Sequence, residues 1–165
     1  MSYPESMSAD RDQAIELFRQ AYRRQMRGEL DQAVMLYRES LCLFPTAEAH
    51  TFLGWTYSFQ GRLAEAIEEC KRAIEVDPDF GNPYNDIGAY LIELGRLDEA
   101  IPWLEQALRA PRYESYHFPH FNLGRVYEMK GEPNKAVACY RRAMQEEPDY
   151  QLAREALLDL VSRLN

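Results

Sequence analysis

The sequence predicts an all-α fold, an α–α superhelix (a solenoid) of about nine antiparallel helices stacked pair upon pair. Three observations carry this prediction. A glycine followed five residues later by alanine recurs four times: Gly28-Glu-Leu-Asp-Gln-Ala33, Gly61-Arg-Leu-Ala-Glu-Ala66, Gly95-Arg-Leu-Asp-Glu-Ala100 and Gly131-Glu-Pro-Asn-Lys-Ala136, at steps of 33, 34 and 36 residues. Small residues flank this frame at fixed offsets, with Gly54, Gly88 and Gly124 seven residues before three of the glycines and Ser40, Ala73, Ala107 and Ala143 seven after the alanines. Prolines at Pro45, Pro78 and Pro148 close three of the units. A fixed period in this range means one supersecondary unit repeated, each burying its apolar face against the next.

Each element follows from the frame. Within a unit, a first helix ends at the glycine, whose access to positive φ terminates it, and a second begins just after. The second helices place apolar residues three and four apart, as in Ala66, Ile67, Cys70, Ala73 and Ile74. Helices are expected over 10–27, 30–43, 47–60, 63–76, 81–94, 97–110, 117–130, 133–146 and 150–163. Pro83 and Pro119 fall near helix starts, where a missing N–H costs little. Pro102 falls in an early turn of its helix and removes one hydrogen bond without ending it. The last helix carries Leu152, Ala156, Leu157, Leu160, Val161 and Leu164 and is expected to cover the final unit. Residues 111–116 hold a two-residue insertion, the one connection longer than the pattern requires.

The period and these residues resemble the tetratricopeptide repeat. The second unit matches with Leu53-Gly54, Tyr57, Gly61, Ala66, Ala73 and Pro78, and the fourth with Leu123-Gly124, Tyr127, Gly131, Ala136, Tyr140, Ala143 and Pro148. The third carries Ile87-Gly88 and Leu91, with an early proline at Pro111. The first is the most divergent, with Ala21 for the first glycine and Arg24 for the tyrosine, as suits an end repeat with one neighbour. The expected organisation is a disordered segment over 1–9 and a single repeat domain over 10–165, with repeats over about 14–46, 47–80, 81–114 and 117–150 and a capping helix over about 150–163.

Composition limits the function. Of 165 residues, 27 are acidic and 19 basic, giving a net charge of −8 that repels phosphate backbones, so nucleic acid is not expected as a partner. No stretch approaches the roughly 20 apolar residues of a membrane helix, so no membrane insertion is expected. Met1–Asp10 lacks the charged start and apolar run of a secretory signal. Cys42, Cys70 and Cys139 are an odd number without metal-type spacing and read as thiols of a reduced, cytoplasmic compartment. No phosphate loop, zinc-protease helix, nucleophile elbow or calcium loop is present, so neither an enzyme nor a cofactor is expected. His117-Phe-Pro-His120 is the one constellation that invites a metal. Pro119 lies between the two imidazoles and no further ligand is near in sequence, so both histidines read as packing residues.

The resemblance implies a concave groove lined by the first helix of each pair. Carried over by position, it assigns Phe18 and Tyr22 in the first unit, with Ile15, Gln25 and Met26 beside them. It assigns Phe52, Trp55 and Phe59 in the second, with Glu48, Thr51 and Ser58. The third unit supplies Asn82 and Asn85, with Asp86, Ala89, Ile92 and Glu93, and the fourth Phe118, Phe121, Asn122 and Arg125, with Glu128 and Met129. Seven aromatic residues at positions that would face solvent, with an arginine, are the composition of a protein-binding surface. The amides would bond a partner's backbone and Arg125 would pair with an acid. Co-chaperones of the family that grip a C-terminal carboxylate need cations at positions held here by Phe18, Tyr22, Phe52, Asn82 and Asp86, so that mode is not expected. The expected function is a non-enzymatic adaptor or scaffold holding an apolar or amphipathic peptide or helix of another protein. The alternative is a small dedicated chaperone resembling those of type III secretion. Self-association through an uncovered end unit or the groove is a further possibility.

Overall fold

A computed structural model describes residues 5–165. Among these the secondary structure is helical: α1 (Glu5–Met26), α2 (Leu30–Leu43), α3 (Ala47–Phe59), α4 (Leu63–Val76), α5 (Asn82–Glu93), α6 (Leu97–Arg109), α7 (His117–Met129), α8 (Pro133–Glu146) and α9 (Gln151–Leu164). The boundaries fall within one residue of those expected, except at the start of α1. Residues 5–9, expected to be disordered with 1–4, form its first turns, and the residues before Glu5 lie outside those described. Met7 and Arg11 border a small hollow with Phe44, and the Arg11 guanidinium lies 5.7 Å from the centre of the Phe44 ring. These contacts reward a longer helix.

The helices form two compact units, one ending at Pro78 and one spanning Asp79–Asn165. In the first, α1 packs on α2 and α3 on α4, with α2 joining the pairs. In the second, α5 packs on α6, α7 on α8, and α9 against α8. The four turn glycines adopt φ between 73° and 77°. At Gly61 this conformation lets the Arg62 N–H reach back to the Tyr57 carbonyl at 2.9 Å, satisfying a carbonyl that the helix end would orphan. Gly88 serves close approach instead: a Cβ there would lie 2.4 Å from Leu104 Cδ2 on the paired helix. Pro102 is exposed and α6 continues through it.

The second unit contains the insertion. Residues 111–116 do not simply lengthen a loop. Phe80 and Arg112 form an isolated parallel bridge, with Gly81 N–H donating to the Arg112 carbonyl (3.1 Å) and Arg112 N–H to the Asp79 carbonyl (3.0 Å). The Arg112 guanidinium stacks 4.2 Å from the Phe80 ring centre, and the Tyr113 ring fills the space above Gly81. The loop thereby fixes the start of α5. At the far end, Leu160 of α9 is buried with Ala136 and Tyr140 of α8, with Phe121, Val137 and Leu157 packed around them.

Candidate functional site

The first-helix faces carry the residues of interest, and each unit presents its own. In the first unit the aromatics form one chain of ring contacts. Phe52 of α3 is its hub, meeting Phe18 at 5.3 Å, Tyr22 at 5.8 Å and Trp55 at 5.7 Å between ring centres; Trp55 in turn meets Phe59 at 5.2 Å. Helical spacing explains the run, since Phe52, Trp55 and Phe59 stand three and four residues apart on one face of α3. Phe18, Phe52 and Trp55 are half-buried, whereas Tyr22 and Phe59 keep 42% and 57% of their surface exposed. The chain therefore begins in the core, where Phe18 also meets Tyr37 at 5.5 Å, and ends in solvent. Beside Phe18 a hollow of about 250 Å³ opens between Ile15, Phe44 and Thr46.

Some neighbouring residues assigned to the groove do not face it. Gln25 is buried, accepting a hydrogen bond from the Tyr37 hydroxyl at 2.7 Å, and Thr51 is buried with its hydroxyl donating to the Ala47 carbonyl. Ile92 is core as well. Helix position fixes a face but not the neighbours that cover it.

In the second unit the face is part apolar and part polar. Along α5 the residues with partial or full access are Asn82, Asp86, Ala89 and Glu93, a single stripe at helical spacing. Asn85, one position off this stripe, is buried, and so is Asn122 of α7. Their amides bond each other, Asn122 Nδ2 donating to Asn85 Oδ1 at 3.0 Å, and Arg125 Nη1 donates to Asn122 Oδ1 at 3.2 Å. Two of the three amides assigned to a partner's backbone are thus engaged inside the protein, and Asn82 is the one with solvent access. Asp86 hydrogen-bonds the Asn85 side chain, so a polar chain runs from Asp86 through both amides to Arg125. Burial pushes the Asp86 carboxyl up to about 7, against the lowering effect of the Asn85 bond.

Phe118, 39% exposed, and half-buried Phe121 occupy the α7 side. A residue that the repeat register did not single out organises them. Tyr150, at the start of α9, meets His117 at 4.8 Å, Phe121 at 5.4 Å and Phe118 at 5.6 Å between ring centres. Its one sequence signal is an aromatic residue two positions after the closing Pro148. His117 is thereby a packing residue, and burial lowers the affinity of both His117 and His120 for a proton. Among the described residues no group of three His, Cys, Asp or Glu is placed to hold a metal, and no helix is long and apolar enough to cross a membrane.

Comparison with known proteins agrees with this architecture. The chain is 30% identical over 111 residues to human tetratricopeptide repeat protein 7A, an alignment spanning 67% of this chain and 13% of that protein. The solved structure of Pseudomonas aeruginosa pilF superposes with a TM-score of 0.85 at 23% identity, covering 95% of this chain and 70% of that one. The first such repeat domain of Spaghetti (RPAP3), solved with an HSP90 peptide, gives a TM-score of 0.66 at 21% identity, covering 72% of this chain and 93% of that one. Family models described as tetratricopeptide repeat match residues 47–80 and 79–145, spanning the second unit's paired helices and the helix pair before them. With the four-fold glycine–alanine frame realised as four helix pairs, the chain belongs to the tetratricopeptide repeat family.

Proposed function

We propose that this protein is a cytoplasmic, non-enzymatic adaptor that holds an apolar or amphipathic segment of another protein against its first-helix faces. The observation that carries this reading is the aromatic chain from Phe18 through Phe52 and Trp55 to Phe59, part anchored in the core and part open. Rings held rigid by their neighbours offer contact area at little cost in side-chain entropy, which is the chemistry of binding hot spots. On the second unit's own face Phe118 and Phe121, ordered by Tyr150, would offer apolar contact, and Asn82 would bond the partner's backbone. The RPAP3 domain, solved with the HSP90 peptide SRMEEVD, supports peptide binding as a use of this fold. That peptide ends in acids, whereas the α5 stripe here carries Asp86 and Glu93, so the preferred segment should differ. The cytoplasmic placement rests on Cys42, Cys70 and Cys139, all free thiols.

The test is binding of a partner, identified by affinity capture, to wild-type protein and to a Trp55→Ala, Phe121→Ala double variant. Loss of a central anchor should weaken binding by roughly 2 kcal/mol or more with the helical content retained. Unchanged affinity in a folded double variant removes the assignment.

A further inference from the structure

We propose that the face of the second unit selects a partner segment carrying a lysine or arginine beside its apolar residues, and that Asp86 is the residue that selects it. This rests on the adaptor reading above and names the chemistry of the segment. Three observations on α5 and α7 lead to it.

Asp86 stands on the one accessible stripe of α5, between Asn82 and Ala89, yet protein surrounds it closely enough to make its charge costly. Its carboxylate bonds the Asn85 amide, and it forms no ion pair among the described residues. The nearest cation along the polar chain, Arg125, is spent on Asn122 two links away. Second, Glu93 is exposed on the same stripe, seven residues on, and forms no ion pair among the described residues. Seven residues are two helical turns, about 10.5 Å, a separation that one amphipathic segment spans. Third, the opposite flank of the face is apolar, with Phe118 39% exposed, Phe121 partly accessible and Met129 58% exposed. An occupant must therefore present apolar side chains to α7 and positive charge to α5.

Charge complementarity separates the candidates. An acidic segment would place like charge against a carboxylate already short of water, which repels that partner. An uncharged apolar segment would bury Asp86 further without giving it a partner, and its proton would have to stay on. A lysine or arginine supplies the missing charge, and the Asn85 amide, itself held by Asn122, keeps the carboxylate in place to receive it. Lysine and arginine both satisfy this geometry.

The experiment is a selection of random 12-residue peptides displayed on phage, run against the full chain as wild type, Asp86→Asn and Asp86→Glu. All three proteins are first checked for the same helical content. The proposal expects wild-type selections enriched in peptides with a basic residue flanked by aromatic or aliphatic ones. Asp86→Asn should lose the basic preference while keeping the apolar one, and Asp86→Glu should retain both. For one selected peptide, replacing its basic residue with norleucine should weaken binding to wild type by about tenfold or more, and change binding to Asp86→Asn little. Apolar peptides enriched without basic residues, or acidic ones, overturn the role of Asp86 and leave the adaptor reading standing. No enrichment against any of the three proteins overturns the adaptor reading and this inference with it.

Discussion

Replacing Asp86 with asparagine should stabilise the protein, and by an amount that grows with pH. The substitution keeps the side chain's size and its hydrogen bond to Asn85 but removes the ionisable group. In the folded protein burial raises the Asp86 carboxyl from 3.8 to about 7. The folded state therefore binds this proton more tightly than the unfolded chain, so stability falls as pH rises between those values. Below 3.8 both states are protonated and the group contributes nothing; above about 7 both are ionised and the full penalty is present. The gap between the two values corresponds to about 4 kcal/mol at about 1.4 kcal/mol per pKa unit. Urea denaturation of wild type and Asp86→Asn at pH 4, 6 and 8, followed by helical circular dichroism, measures it. The variant should gain about half a kcal/mol at pH 4, about 3 at pH 6 and about 4 at pH 8. A difference that does not change with pH, or a wild type more stable at pH 8, would show that the carboxylate has water or a counter-charge.

Other substitutions separate the packing roles from the surface ones. Phe52→Ala removes the hub of the aromatic chain and should cost about 3–5 kcal/mol in urea denaturation, whereas Phe59→Ala, at the exposed end, should stay within about 1 kcal/mol. Gly88→Ala drives a methyl group into Leu104, and should lower stability by about 1–3 kcal/mol, measured the same way. Leu160→Ala opens the small core shared with Ala136 and Tyr140 and should cost about 2–5 kcal/mol, with α9 amides losing protection from hydrogen exchange before those of α7. Asn122→Ala leaves the buried Asn85 amide without its donor and Arg125 without its acceptor, and a loss of about 1–3 kcal/mol is expected.

The helix pairs were legible because each turn needs a residue that tolerates positive φ and each crossing needs a small one. Gly28, Gly61, Gly95 and Gly131 serve the first need, and Gly54, Gly88 and Gly124 the second. What escaped sequence reading depends on pairing between distant residues. Residues 5–9 read as disordered until Met7, beside Arg11, borders a hollow with Phe44, and residues 111–116 look like slack until Arg112 bridges Phe80. The candidate site divides in the same way. Register placed the aromatics on the first helices, but it could not tell Phe52, held by three other rings from α1 and α2, from Phe59, held by one. Nor could it show that Asn85 and Asn122, 37 residues apart, spend their amides on each other. Tyr150 lies outside the repeat register, and only the packing of α9 brings it to Phe118 and Phe121.

The claim that partners are held by the first-helix faces is tested most directly by nuclear magnetic resonance mapping with a captured or selected peptide. Side-chain and amide signals of Trp55, Phe59, Asp86, Phe118 and Arg125 should shift on titration, while those on the outer faces of α4, α6 and α8 stay still. Shifts confined to the second helices, with Trp55 and Phe118 unmoved at saturation, would contradict it.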